Sequence, residues 1–297
     1  MAQSFTATEP GSLACDTDGG SGKRRKVLVT GAAGNIGSYF AEHSRGRYDL
    51  RLMVRGDEDR GKLDALRGFG ELVTSDLSDL EHLKSLCRGV DTVIHLAASA
   101  SPDTPWEQLL PNNIVGTYNA MAAAKAAGCR RVVYASSIHA VGGYGPDVQV
   151  KTSEPPNPGD LYGVTKCFGE ALGRYMAGQE GLSVIALRIG AFQPLEKAAG
   201  EGGVGMMDHF VSHRDLNQLI EKSIDAADGL KFAILHGLSD NRFKRLDITD
   251  ARELVGYAPV DDLTEENPAL KKLRLDEKIG SHSMGDGGQK SGLRNEV

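Results

Sequence analysis

"VLVTGAAGNIGSYF" (27–40) begins with strand-forming residues and then sets glycine at 31, 34 and 37, where a helix starts. Without Cβ atoms the backbone can close on a pyrophosphate, and the amides at a helix N-terminus attract its charge. Glycines so spaced at the first strand-to-helix turn predict a dinucleotide site, with Gly31, Gly34, Asn35, Ile36 and Gly37 at the phosphates.

Further apolar runs of strand length follow: "LRLMV" (50–54), "ELVTSDL" (71–77), "TVIHLAA" (92–98), "RVVYASS" (131–137), "SVIALRIG" (183–190) and "FAILHG" (232–237). Continuous rather than alternating hydrophobicity means burial on both faces of a sheet. The helical stretch 107–128 between two of these runs is long enough for a right-handed crossover between parallel strands. The fold class is therefore α/β, a doubly wound parallel sheet of the Rossmann type, over 25–187. A small C-terminal substrate-binding part covers 188–264 and includes a returning Rossmann helix that begins at Ser212, with Asp215 in a capping-box-like place. Residues 1–24 and 265–297, poor in hydrophobic pattern, read as a flexible N-terminal tail and a polar C-terminal tail.

A chain of 297 residues with 40% hydrophobic and 25% charged content can bury a full core. Its net charge of −6 argues against nucleic acid or an acidic membrane as partner. No run approaches the roughly 18 apolar residues of a membrane span, and the N-terminus lacks a signal-peptide core. Cys15, Cys87, Cys129 and Cys167 show no CxxC pairing, so neither disulfides nor a metal site are expected, and a reducing cytoplasm fits.

"DLYGVTKCFGE" (160–170) sets Tyr162 and Lys166 four residues apart, on one face of a helix. A nearby ammonium favours phenolate and lowers a tyrosine pKa from about 10, which would make Tyr162 a proton acceptor near neutral pH. In isolation such a pair is as well read as helix surface; its neighbours decide otherwise.

TGxxGxxG at 30–37, "SDL" at 75–77, "HLAA" at 95–98, "NIVGTYN" at 113–119, "ASS" at 135–137 and YGVTK at 162–166 occur in a familiar order. Over about 25–264 the chain resembles the extended short-chain dehydrogenase/reductases, also called NAD-dependent epimerase/dehydratases. The resemblance implies Tyr162 as general base or acid, with Lys166 holding the nicotinamide ribose and lowering the tyrosine pKa. Ser137 would bond the reacting oxygen, since the family's serine lies 25 residues before its tyrosine. Asn113 would be a structural or proton-relay residue. Asp76 and Leu77 would border the adenine, and Leu96, Ala97, Ala98 and Ile189 would lie against the cofactor. Ser99, Ser137, Ile138, His139 and Ala191 would face the substrate. In the family, helices matching 107–127 and 160–178 pair across a two-fold axis. Ala120, Ala122, Ala123, Ala124, Gly169 and Gly173 would allow that approach, so a homodimer is implied.

"ASSIHAVGGY", "LYGVTKCFGE", "LRIGAFQP" and "FVSHRDL" are similar to segments of the uronate dehydrogenases. The chain departs from that group at Ile138, at Ala191 and in 195–210, where no arginine stands to meet a carboxylate. An arginine at the end of the second strand suits NADP and an acid there suits NAD. Arg55 with Asp57 two residues on leaves both cofactors open. The function implied is hydride transfer between NAD or NADP and a small hydroxylated, sugar-derived substrate, uronate or aldose-like. A sugar or sugar-nucleotide epimerase/dehydratase and a non-catalytic dinucleotide sensor are the alternatives.

Overall fold

Every residue of three central strands is buried, the condition that continuous apolar runs impose. The computed structural model describes residues 24–272. Most of both expected tails, and Cys15, lie outside the described residues. The main sheet is built from β1 (Lys26–Thr30), β2 (Asp49–Val54), β3 (Glu71–Thr74), β4 (Thr92–His95), β5 (Arg131–Ser137) and β6 (Ser183–Ile189). β7 (Ala191–Phe192) and β8 (Phe210–Val211) pair with each other, and β9 (Phe232–Gly237) returns to the main sheet. The order β3-β2-β1-β4-β5-β6-β9, parallel throughout, is the doubly wound sheet expected.

Side-chain alternation divides the core into two layers. Val27, Val29, Leu50, Leu52 and Ile185 meet α1 (Asn35–Ser44) and α8 (His213–Asp225) through Phe40, Leu216 and Leu219. Leu28, Val93, Val132 and Val184 meet α3 (Leu80–Leu86), α5 (Gly116–Ala126) and α6 (Leu161–Gly178) through Leu83, Met121 and Met176. The order reverses between β1 and β4, which opens a crevice at their carboxyl ends.

The single helix expected over 107–128 is interrupted. α4 (Trp106–Leu109) runs into a π-helical turn, Leu110–Val115, before α5. Pro111 has no N–H to give the ladder, and the wider turn buries Asn113. α6 starts where expected, with Asp160 accepting from Gly163 N at 2.7 Å. Ser212 caps α8 through Asp215 N at 3.2 Å. The Asp215 carboxylate does not complete a capping box. It accepts instead from Ser239 Oγ at 2.6 Å, Val260 N at 3.0 Å and Asp261 N at 3.1 Å, tying the C-terminal segment to α8.

Two boundaries move. β6 runs past 187 to Ile189, and β9 belongs to the main sheet, so the small part reduces to β7, α7 (Leu195–Ala198), β8 and the chain after β9, which includes α9 (Thr249–Val255). A polar tail starting at 265 is too early. α10 (Leu263–Glu266) and α11 (Pro268–Lys271) pack Leu263 and Leu270 on Ala198 and Phe210. Asn267 donates to Ala198 O and Gly200 O, both at 2.9 Å.

The small residues of α5 and α6 also serve another end than expected. Ala120, Ala123 and Ala124 are buried within the subunit. A Cβ on Gly169 would collide with the Tyr134 ring, and one on Gly173 would lie 2.8 Å from Val184 Cγ1. They let α6 settle on the sheet. Gly169→Ala should accordingly destabilise the protein by roughly 1–3 kcal/mol, the cost of overpacking. Gly178→Ala, near the end of α6 with nothing within 4 Å of the added methyl, should instead be neutral or stabilising by up to about 1 kcal/mol. Urea unfolding of the two variants checks the contrast.

Candidate active site

At the carboxyl ends of β1, β2 and β4 lies a cavity of about 310 Å³. Its floor is the glycine turn. Gly31 has φ +69°, and a Cβ there would stand 2.8 Å from Ala97 N, so only glycine lets the turn and the β4 loop approach this closely. No side chain caps α1 after Gly34, which leaves first-turn amides for an anion. Asp76, Leu77, Leu96, Ala97, Ala98 and Ser99 line the cavity beside Gly31, Gly34 and Arg55. Asp76 is itself engaged, accepting from Ser78 N at 2.8 Å and Ser78 Oγ at 2.6 Å, and these bonds hold its carboxyl below the usual range. The remaining residues expected at the cofactor line none of this cavity: Gly37 is buried beneath the turn, Ile36 is half-buried, Ile189 ends β6, Tyr162 and Lys166 lie on α6, and Asn35 borders an adjoining groove with Tyr39 and Phe192. Ala33, Glu58, Ser75 and Asn112 line the cavity without having been expected there. A cradle of glycines and alanines with free α1 amides, flanked by polar side chains, suits a dinucleotide.

The loop after β4 is held by two asparagines. Asn113 accepts from Ser99 N at 2.8 Å and donates to Ser99 O and to Thr165 Oγ1, both at 3.0 Å. Its amide thus joins the cavity wall to α6, a positioning arrangement. Asn112 donates to Ser99 Oγ at 2.9 Å. Beneath them His95 bridges Thr30 Oγ1 at 2.9 Å and Thr117 Oγ1 at 3.3 Å, and burial drives its pKa down to about 3, so it is a neutral strut.

Ser137 ends β5, and Tyr162 and Lys166 come from the first turns of α6. Tyr162 is buried, which pushes its pKa up to about 12 although the Ser137 hydroxyl beside the phenol pulls it down. Lys166 donates to Ala135 O at 2.7 Å, and its Nζ lies 5.4 Å from the Tyr162 ring centroid. Full burial lowers its pKa to about 7. The expected lowering of the tyrosine pKa by the lysine is therefore absent in the protein alone. Desolvation governs both groups, because the ammonium is itself destabilised and finds one carbonyl rather than a carboxylate. His139 Nδ1 pairs with Asp160 Oδ2 at 2.6 Å, and its ring stands edge-on to Tyr162 at 5.4 Å. Ile138 turns towards Val141 and Leu246, and Ala191 lies in β7. Among the described residues no group of His, Cys, Asp and Glu is placed to hold a metal ion.

Residues 27–192 match the NAD dependent epimerase/dehydratase family. The chain belongs to that family. One relative of this family member is the NAD-dependent glucose-6-phosphate dehydrogenase of Haloferax volcanii, 36% identical over 252 residues, which are 80% of this chain and 94% of that protein. The L-arabinose 1-dehydrogenase (NAD(P)(+)) of the same organism is 33% identical over 255 residues, 80% of this chain and 97% of that one. Among solved structures, a mutant of uronate dehydrogenase from Agrobacterium tumefaciens, complexed with NAD, matches with a TM-score of 0.73 and 31% identity, covering 89% of this chain and 93% of that chain. Uronate dehydrogenases thus stand among the relatives, as the quoted segments imply, with sugar dehydrogenases beside them. The expectation of an NAD(P)-dependent dehydrogenase of the extended short-chain type holds.

A buried lysine with a depressed pKa destabilises the native state wherever the unfolded chain would hold the proton and the folded one would not hold it easily. That cost is full below about pH 7 and fades as pH rises from there towards the unfolded value of 10.5. Lys166→Met should therefore stabilise the protein by roughly 1–4 kcal/mol near pH 6, as apolar replacement of buried charge does, and by less at pH 9. Thermal melts at the two pH values check it.

Proposed function

We propose that the chain is an NAD(P)-dependent dehydrogenase that oxidises the anomeric carbon of a small, free sugar or sugar acid. The observation that carries this reading is the buried Tyr162 phenol, with the Ser137 hydroxyl beside it and Lys166 Nζ 5.4 Å from its ring centroid. The relatives support the substrate class, since they are named for a sugar phosphate, a uronate and an aldopentose.

In the oxidising direction a bound nicotinamide would accept the hydride. Ser137 donates to the substrate oxygen and orients it towards Tyr162. Tyr162 takes the hydroxyl proton, and for this it must reach phenolate, which burial opposes. Lys166 supplies the nearest cation, and ribose hydroxyls would give its remaining donors the acceptors that the protein alone provides only at Ala135 O. Asn113 keeps α6 and the Ser99 loop in register. His139, pinned by Asp160 and edge-on to Tyr162, would border the sugar, while Ile138, packed towards Val141 and Leu246, and Ala191 give it no polar contact. With no arginine in 195–210 to meet an anionic group, a neutral aldose is favoured over a uronate or a sugar phosphate. Ser137, Tyr162 and Lys166 are all present and assembled, which disfavours a silent sensor.

Purified protein should reduce NAD or NADP with at least one of L-arabinose, glucose 6-phosphate and glucuronate, read as absorbance of the reduced cofactor. Tyr162→Phe should keep cofactor affinity and lose roughly 10²–10⁴-fold in turnover. Near-normal turnover in the variant would remove Tyr162 from the chemistry.

The same reading includes a cytoplasmic homodimer. No described helix is long and apolar enough to cross a membrane, and Cys87, Cys129 and Cys167 are free thiols. Leu110, Val115, Tyr118, Leu161, Val164 and Tyr175 are exposed on α5, α6 and the π-helical turn before them, an apolar face of the kind that pairs with a second copy. Light scattering should give twice the 31.7 kDa chain mass, and Tyr118→Glu should return it to the monomer value.

A further inference from the structure

The loop after β2 reads "RGDEDR" (55–60), and its second acid, Glu58, is not the one that the spacing from Arg55 draws attention to. Glu58 folds back towards the strand end. Its Oε1 accepts from Arg55 N at 2.9 Å and its Oε2 from Gly56 N at 2.7 Å. Gly56 has φ +94°, a conformation that helps turn successive amides towards one point and so forms a small anion-binding nest. Glu58 lines the same cavity as Val54, Arg55, Ser75 and Asp76. In a dinucleotide-binding sheet this end of the second strand meets the adenosine ribose.

Arg55, the residue that would favour a 2′-phosphate, is drawn aside. Its Nε lies 3.3 Å from Asp57 Oδ1 and its side chain is 66% exposed. Burial pushes the Glu58 carboxyl up, but the amides of Arg55, Gly56 and Glu58 itself outweigh burial and hold it below the usual range, so it is a carboxylate at neutral pH. A phosphate entering here would meet this charge and the Asp76 carboxylate, and it would find the nest already filled.

We infer that Glu58 selects the cofactor, because its carboxylate occupies the amide nest that a 2′-phosphate would need and keeps lone pairs free to accept from ribose hydroxyls. The selection favours NAD over NADP. It rests on the dinucleotide reading of the cavity and names the residue that discriminates within it.

Calorimetric titration of NAD and of NADP into the full chain tests the inference without any substrate. Glu58→Ala empties the nest and removes the charge, and should tighten NADP by about tenfold or more while weakening NAD a few-fold. Glu58→Gln removes the charge but keeps an acceptor for an amide, and should give a smaller gain for NADP. Adding Arg55→Ala to Glu58→Ala should erase most of the gain, since Arg55 is the cation left to meet the phosphate. Unchanged NADP affinity in Glu58→Ala, with NAD still bound, overturns the role of Glu58 alone. Failure of the wild type to bind either cofactor overturns the dinucleotide reading and this one with it.

Discussion

The close seating of α6 on β5 and β6 is the constraint on which the site depends. At Gly163 an added Cβ would run into His139 O, at Gly169 into the Tyr134 ring, and at Gly173 against Val184. Small residues at these positions let the helix axis lie nearer the sheet than ordinary side chains permit. The short separation brings Lys166 within 2.7 Å of Ala135 O, buries Tyr162 beside Ser137, and lets Thr165 reach Asn113. Burial then determines the electrostatics. A lysine depressed to about 7 and a tyrosine raised to about 12 are each held away from their charged forms. The pair is set up to be completed by polar groups brought from outside.

Much of this was legible in the chain. Strand location followed from continuous apolar runs, because a parallel sheet covered on both faces leaves no solvent side to alternate with. The glycine turn followed from its spacing after a strand, the shared helix face of Tyr162 and Lys166 from the i, i+4 interval, and Ser137 from the family resemblance alone. What escaped were effects of close packing in three dimensions. Periodicity says that Gly169 and Gly173 share a face of α6 but not that the face meets the sheet rather than a second subunit. An i, i+4 pair says that a cation is near a phenol, but not that both are dry. Pro111 could have warned of the π-helical turn, though not of its width. Among Asp57, Glu58 and Asp59, only the backbone path after Gly56 shows which carboxylate turns into the cavity. The segment 265–271 looked polar because its buried anchors, Asn267 and Leu270, are few.

Electrostatic work at this site is divided between two regions of the sheet. On the β2 and β3 side the carboxylates Glu58 and Asp76 are both satisfied by hydrogen bonds and ionised. On the β5 and β6 side Tyr162 and Lys166 are buried and poorly solvated. On the proposed reading, cofactor selection and proton movement fall on different strands, so one can vary with little disturbance of the other.

From β1 onward in one direction the sheet runs β4, β5, β6, β9, the order in which the chain is made. Each of these strands can join the free edge of what is already present, and no earlier pair has to reopen to admit it. The residues around the dinucleotide cavity end at Asn112, ahead of Ser137, Tyr162 and Lys166 in the chain. During synthesis the cradle for the cofactor therefore leaves the ribosome before any part of the machinery that would use it.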